Sequence, residues 1–285
     1  MRWILLFSDI HSGHRLGLLN PETTLEEQDA EGRIVTYHPQ LSAYQQHLWG
    51  LFTQNLEQVR ELVGADEIVA ISNGDLTQGV RYPDLWVSTR LSDQVDIAIW
   101  TMRALLKLEQ IRVLRLCVGT ASHEFGEGSA PRLVINALKP EFPGVDIKVV
   151  QHGLLWVDGV SLDYAHHGPG ASQRHWLQGN TARFYLRDLM QREIKAGRPV
   201  PRIVVRSHVH THVRETLRDE DRGERVIADL FITPSWCGMG DYAVQVTRSN
   251  YLVTHGMVLL GVEDGELRVE HSLVATTDVR TEEVV

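Results

Sequence analysis

Three histidines, His208, His210 and His212, stand at every second position in "RIVVRSHVHTHVRE", straight after an apolar, β-branched run. Alternate side chains of a strand share a face. The spacing therefore predicts a row of imidazoles at a strand's carboxyl end, with Val209, Thr211 and Val213 opposite. Imidazole is the commonest metal ligand and the natural acid or base near neutral pH. One histidine there would read as a solvated strand edge; three in register point to chemistry. Similar residues recur where other apolar runs end. "SDIH" closes the first run with Asp9 and His11, "NGDL" the second with Gly74 and Asp75, and "GTASHE" the third with Ser122, His123 and Glu124. A later run ends in "AHHG", with His166 and His167. Each alone has a plain explanation as a turn or surface loop. Five such ends in order make a site of carboxylates and imidazoles suited to zinc, manganese or iron. His14, His38, His47, His152, His175, His255 and His271 have no such partner and are read as packing or surface residues.

The elements that must position these residues follow from periodicity. "RWILLFS" is a buried strand, and residues 12–39 are a long polar excursion without clear period, expected to be lid-like. An amphipathic helix runs from about Leu41 to Gly64, the strand "EIVAIS" follows, and a second helix is capped at Ser92. The strand "IRVLRLCVG" completes a βαβαβ pattern, which implies parallel pairing and an α/β fold. After a short helix at 131–138 the chain turns to strands. Asp158-Gly159 and Asp264-Gly265 mark hairpin turns, a helix spans about Trp176 to Lys195, and strands fall at 225–233 and 256–262. No linker divides the chain, so residues 1–285 are expected to form one domain with two packed sheets. Open α/β sheets build their sites at strand carboxyl ends, where the ligand-type residues lie.

Composition narrows the function. A net charge of −9 over 285 residues argues against broad binding to a nucleic-acid backbone, which needs a basic face. It does not exclude a phosphate substrate, because bound divalent cations reverse the local field. The first residues suit a strand better than a signal peptide, and no apolar run approaches the roughly 20 residues that cross a bilayer. Cys117 and Cys237 have no metal-binding spacing and form no disulfide framework, which fits a reducing, cytoplasmic location without a membrane.

Taken in order, the motifs resemble those of the calcineurin-like metallophosphoesterases, which run D-x-H, G-D, G-N-H-[D/E], a histidine before glycine, and G-H-x-H. Here they are Asp9-Ile10-His11, Gly74-Asp75, Gly119 to Glu124, His167-Gly168 with His166 beside it, and Ser207-His208-Val209-His210. "GDLTQGV" and "ITPSW" are similar, less specifically, to phage and prophage members. The resemblance implies a four-layer αββα sandwich of two packed mixed sheets flanked by helices. It also implies two divalent metal ions, manganese, zinc or iron, sharing Asp75. The first would take Asp9, His11 and His210; the second would take His167, His208 and a ligand from the third motif. Two metals roughly 3.5 to 4 Å apart can hold one hydroxide, lower its pKa and stabilise phosphate charge during in-line attack. Asp75 is expected to bridge with its two oxygens.

The implied activity is that of a dinuclear metal-dependent phosphoesterase, a hydrolase of phosphomonoesters or phosphodiesters, with a nucleotide or nucleic acid among the substrates to consider. His123 matches the histidine that approaches the leaving group and would donate its proton. Where the family has Gly-Asn-His, this chain has Gly119-Thr120-Ala121-Ser122-His123, two residues longer and without asparagine. The Ser122 hydroxyl, a water, or Asn73 from the adjacent strand end could replace the amide ligand, and Ser122 is carried here as the metal ligand. The missing asparagine motivates an alternative, a catalytically weak metal-binding structural or regulatory module of a phage or mobile element; retention of His123 speaks for turnover. An amidohydrolase-type zinc enzyme is disfavoured, since its first strand would end in H-x-H. Arg81 and Arg174 lie beside motif positions and could clamp phosphate, although surface arginines are more commonly salt-bridged.

Overall fold

The computed structural model describes residues 1–81, 85–88, 90–126, 128–170, 177–221, 223–240, 244, 251–280 and 283. Strand β1 (Arg2–Phe7) is the first apolar run, and Ile4 to Phe7 are wholly buried, as a central strand covered on both faces requires. The excursion after it packs into the body of the fold. Leu18 and Leu19 are buried, and the segment ends in an antiparallel ribbon of β2 (Leu25–Gln28) and β3 (Ile34–Tyr37), with Leu19 and Leu25 packed on Ile97.

Helix α1 (Ala43–Val63) starts at a capping box: Gln45 N donates to Ser42 Oγ (3.1 Å) and Ser42 N donates to Gln45 Oε1 (3.0 Å). Strand β4 (Glu67–Ser72) follows, then α2 (Leu91–Leu106). Ser92, the expected cap, falls inside the first turn of α2; Arg90 holds the cap position and its side chain makes no capping bond to the helix backbone. Next come β5 (Ile111–Cys117), α3 (Ser129–Glu141) and β6 (Asp146–Val150). Strands β7 (His152–Val157) and β8 (Val160–Ala165) form the hairpin over Asp158-Gly159. Helix α4 (Gln178–Lys195) precedes β9 (Ile203–Arg206), and the expected helix start at Trp176 lies outside the described residues, as does Arg174. The chain then forms β10 (Val213–Asp221), β11 (Glu224–Ile232), β12 (Leu252–Glu263) and β13 (Glu266–Asp278).

Two mixed sheets result. The larger runs β13-β12-β1-β4-β5-β6, with β1, β4, β5 and β6 parallel as the βαβαβ pattern predicts; the smaller runs β10-β11-β9-β8-β7. One apolar core lies between α1, α2, α3 and the larger sheet, for example Phe52, Met102 and Leu138 on Leu5 and Leu114. A second fills the gap between the sheets with Ile4, Leu6, Ile71, Leu162, Val205 and Phe231. A third seats Ala182, Leu186 and Met190 of α4 on Val204, Ala228 and Leu230. These cores are those of an α/β sandwich of stacked layers. Among the described residues no helix is long and apolar enough to cross a membrane, and both cysteines are buried and free.

The sandwich brings strand ends from both sheets to one edge. Asn73 N donates to the Phe7 carbonyl (2.8 Å), Ser207 N to that of His166 (2.9 Å) and Thr233 N to that of Arg206 (2.9 Å). Ser8 pairs with Ser235 in an isolated bridge.

Candidate metal centre

The residues just past these strand ends turn in an unusual way. Asp9 (φ 51°), His11 (47°), Asp75 (49°), His208 (78°) and His210 (52°) all adopt left-handed backbone. The conformation costs a non-glycine residue on the order of 1 kcal/mol and persists where its surroundings impose it, characteristically at functional sites. Here Asp9 N donates to the Gly74 carbonyl and His11 N to that of Asp75, both at 3.0 Å, lacing the ends of β1 and β4 together. Two glycines make room for the site, Gly74 for His166 and Gly119 for Asp75. A Cβ on Gly74 (φ 98°) would stand 2.3 Å from the His166 ring, and one on Gly119 would stand 2.2 Å from Asp75 N.

The first cluster is Asp9, His11 and His210. His11 Nδ1 donates to Gln78 Oε1 (3.0 Å), so its Nε2 carries a bare lone pair. That Nε2 lies 4.0 Å from Asp9 Oδ1 and 3.9 Å from Asp75 Oδ2, and His210 Nε2 lies 3.4 Å from Asp9 Oδ1. Asp9 Oδ1 and His11 Nε2 are buried without a hydrogen-bond partner. Atoms that each sit about 2.0–2.2 Å from one ion lie roughly 3–4 Å from each other, so a divalent cation satisfies both orphans. Burial alone would raise the Asp9 carboxyl, but the adjacent His210 outweighs it and holds the group down at about 2. Burial and the neighbouring His123 keep His11 well below the usual histidine range, in the neutral form a metal needs.

The second cluster is His166, His167 and His208, and His166 also groups with Asp9 and Asp75. His166 Nδ1 donates to the Asn73 carbonyl (2.7 Å), which turns Nε2 toward Asp75 Oδ2 (3.1 Å) and His208 Nδ1 (3.3 Å). A bare lone pair beside a buried carboxylate needs a cation between them. In the metal-free chain that cation is a proton: burial lowers His166, but Asp75 and Asp9 overcome this and push it up to about 9. His167, exposed, lies 3.5 Å from the Thr120 hydroxyl.

Asp75 joins the clusters through one oxygen, not the expected two. Oδ1 is occupied by Thr120 N (2.6 Å), whereas Oδ2 faces His11 of the first cluster and His166 and His208 (3.8 Å) of the second.

The third-motif ligand is also placed differently. Thr120, not Ser122, puts a hydroxyl among Asp75 Oδ2 (3.2 Å), His208 Nδ1 (3.4 Å) and His167 Nε2 (3.5 Å). The extra residues fold into a turn that closes on Thr120, with His123 N donating to its carbonyl (2.8 Å), so the insertion falls after the ligand position. Ser122 contributes its carbonyl to Val80 N (3.3 Å) instead. Asn73 is engaged beneath the site, donating to the Ala165 carbonyl (3.0 Å) and Ser207 Oγ (2.7 Å).

His123 stands beside His11, ring centroids 4.6 Å apart, and its Nδ1 donates to the Gln78 carbonyl (2.6 Å). Gln78 thus orients both histidines. Glu124 packs underneath, accepting from Leu76 N (3.3 Å), and burial pushes its carboxyl up to about 7.

His212 belongs to the framework. Strand β9 ends at Arg206, so the three histidines do not continue it and their alternation is not that of a strand. His212 N donates to Thr254 Oγ1 (2.7 Å) and its Nδ1 to the Ile232 carbonyl (2.8 Å). Arg81 is exposed, and its carbonyl accepts from Trp86 Nε1 (3.2 Å). Thr120, Gln78 and the reach of His166 to Asp75 are what sequence reasoning missed. Their only signal was proximity to motif residues. No protein-family model and no curated protein sequence matches this chain, so the site's own geometry carries the functional reading.

Proposed function

We propose that the chain is a dinuclear metal-dependent phosphoesterase of the calcineurin-like metallophosphoesterase type, hydrolysing a phosphomonoester or phosphodiester. The observation that carries this reading is the meeting of two ligand clusters at Asp75 Oδ2, with Asp9 Oδ1 and His11 Nε2 buried and unpartnered beside it. Asp9, His11 and His210 would hold one ion, and His166 and His208, with His167 and the Thr120 hydroxyl adjacent, the other. When bound, such ions lower the pKa of water and neutralise charge on phosphate oxygens.

The remaining chemistry falls to the chain. Asp75, with one oxygen tied to Thr120 N, keeps the other fixed between the clusters. The Gln78 carbonyl holds His123 Nδ1–H and fixes the ring beside the first cluster; in its doubly protonated form the ring would give its second proton, from Nε2, to the departing ester oxygen and be left neutral.

The test is elemental analysis of the full chain together with hydrolysis of p-nitrophenyl phosphate and bis-p-nitrophenyl phosphate with manganese. Two metals per chain and turnover of either ester are expected. Bound metal with no turnover of either would favour the alternative, a metal-binding structural module, and absence of metal would sink both readings.

A further inference from the structure

Beneath the two clusters runs a row of buried hydroxyls, none of them assigned as a metal ligand. Asn73 Nδ2 donates to Ser207 Oγ (2.7 Å), Ser207 Oγ lies 2.7 Å from Thr233 Oγ1, Thr233 Oγ1 lies 2.6 Å from Ser8 Oγ, and Ser8 Oγ donates to Asp9 Oδ2. All five side chains are at most 2 % exposed, so solvent does not compete for these bonds.

The ends of the row set its direction. The Asn73 amide nitrogen only donates, and its second bond, to the Ala165 carbonyl (3.0 Å), requires an NH2 at that position. The Asp9 carboxylate only accepts. Ser207 therefore accepts from Asn73 and donates to Thr233, Thr233 donates to Ser8, and Ser8 donates to Asp9. Hydrogen bonds aligned in series strengthen one another in a low-dielectric interior. The alternative acceptors, the Pro234 carbonyl for Ser8 (3.2 Å) and the Arg206 carbonyl for Thr233 (3.4 Å), are more distant. Beyond its far end, the row meets the second cluster, because the Asn73 carbonyl accepts from His166 Nδ1 (2.7 Å).

We propose that Thr233, with Ser8 and Ser207, is a positioning residue for Asp9: the one-way row supplies a donor to Oδ2, leaves Oδ1 as the ligand oxygen, and ties the first metal site to the Asn73–His166 side of the second. The inference rests on reading the clusters as a two-metal centre. Thr233 occupies the middle of the row and touches neither cluster, so its effect on metal is indirect and separable from ligation.

The experiment is manganese binding to the full chain by titration calorimetry, with folding of each variant checked by circular dichroism in EDTA. Thr233→Val keeps the shape and removes the hydroxyl. Loss of a group that orients a ligand typically weakens metal affinity about 10–100-fold, and that loss is expected here at the first site. Thr233→Ser, which keeps the hydroxyl, should bind within about threefold of the parent. Combined with Asp9→Ala, Thr233→Val should add no further loss, because the row then has nothing to position. Should Thr233→Val fail to fold, Ser207→Ala opens the row one link further away and should give a smaller loss in the same direction. Two manganese ions bound by the parent and bound equally well by the valine, or by the alanine variant in its place, would overturn the relay alone. Equal losses in the valine and serine variants would also overturn it. A parent chain that binds no manganese would overturn the two-metal reading, and the relay with it.

Discussion

Single atoms decide which role each polar residue takes at this site. Asp75 Oδ2 faces His11 of the first cluster and His166 and His208 of the second, whereas Asp9 Oδ1 faces His11 and His210 of the first and meets the second only through the group it forms with Asp75 and His166, so their losses should differ in kind. Asp75→Ala is expected to strip both metals and abolish hydrolysis, and Asp9→Ala to empty mainly the first site. Elemental analysis of each purified variant checks this, and two metals per chain in Asp75→Ala would refute the assignment. On the proposed function, Gln78 would act in metal binding and His123 in proton transfer. The Gln78 side chain holds His11, but it is the Gln78 backbone carbonyl that holds His123. Gln78→Leu should therefore weaken metal binding about 10–100-fold yet leave the leaving-group dependence intact once metal is saturating. His123→Gln should keep its metal and lose hydrolysis of alkyl phosphates far more than of nitrophenyl esters, whose phenolate departs without a proton. An equal loss on both ester types would take proton donation away from His123.

Strands and turns were legible in unequal measure. The apolar runs of β1, β4 and β5 identify themselves because both faces are buried, and Asp158-Gly159 marks a turn that only a few residue pairs favour. The carboxylates and histidines at the strand ends were legible for the same reason, since the end of each run is visible. What defeated the reading at residues 207–212 was a coincidence of period. "HVHTH" alternates as a strand does, yet β9 has already ended and His208 and His210 turn left-handed; nothing in a histidine's identity announces that conformation. Thr120 escaped notice because counting back from His123 places the insertion before the ligand, whereas a local turn absorbs it afterwards. The corrected position of His212 carries its own prediction. With its ring bonded to the Ile232 carbonyl and its amide to Thr254, His212→Ala removes one part-buried hydrogen bond and should cost about 0.5–1.5 kcal/mol. Thermal denaturation should show that loss while metal content and KM stay unchanged; a metal-depleted His212→Ala would restore it to the site.

At the scale of the molecule, the two large sheets and the helices packed on them bring together charges that the interior tolerates only in specific protonation states, and this gives stability a pH dependence that metal should reshape. Burial lowers His14 and His255 to about 4, so both are neutral in the fold; the stability they contribute is present above their ordinary 6.5 and is lost as pH falls toward 4. His166 has the opposite sign. Burial opposes its charge, but Asp75 and Asp9 raise it to about 9, so its contribution is complete below 6.5 and is lost as pH rises through 9. Glu124, raised by burial from 4.5 to about 7, keeps a proton that the unfolded chain gives up, so its contribution is lost between 4.5 and 7 and offsets part of what the two neutral histidines gain over that range. The chain in EDTA should therefore be most stable near pH 6.5 and weaken on both sides. A bound cation takes the place of the proton between His166 and Asp75, and its affinity rises as that proton becomes easier to displace. The gain in Tm on adding manganese should therefore widen steadily from pH 6.5 to 9, flattening the alkaline limb while leaving the acid limb largely in place. Melting curves in EDTA and in manganese across this range decide the matter. An equal gain at both ends would mean that no metal competes with the His166 proton, and that the second cluster is not a metal site.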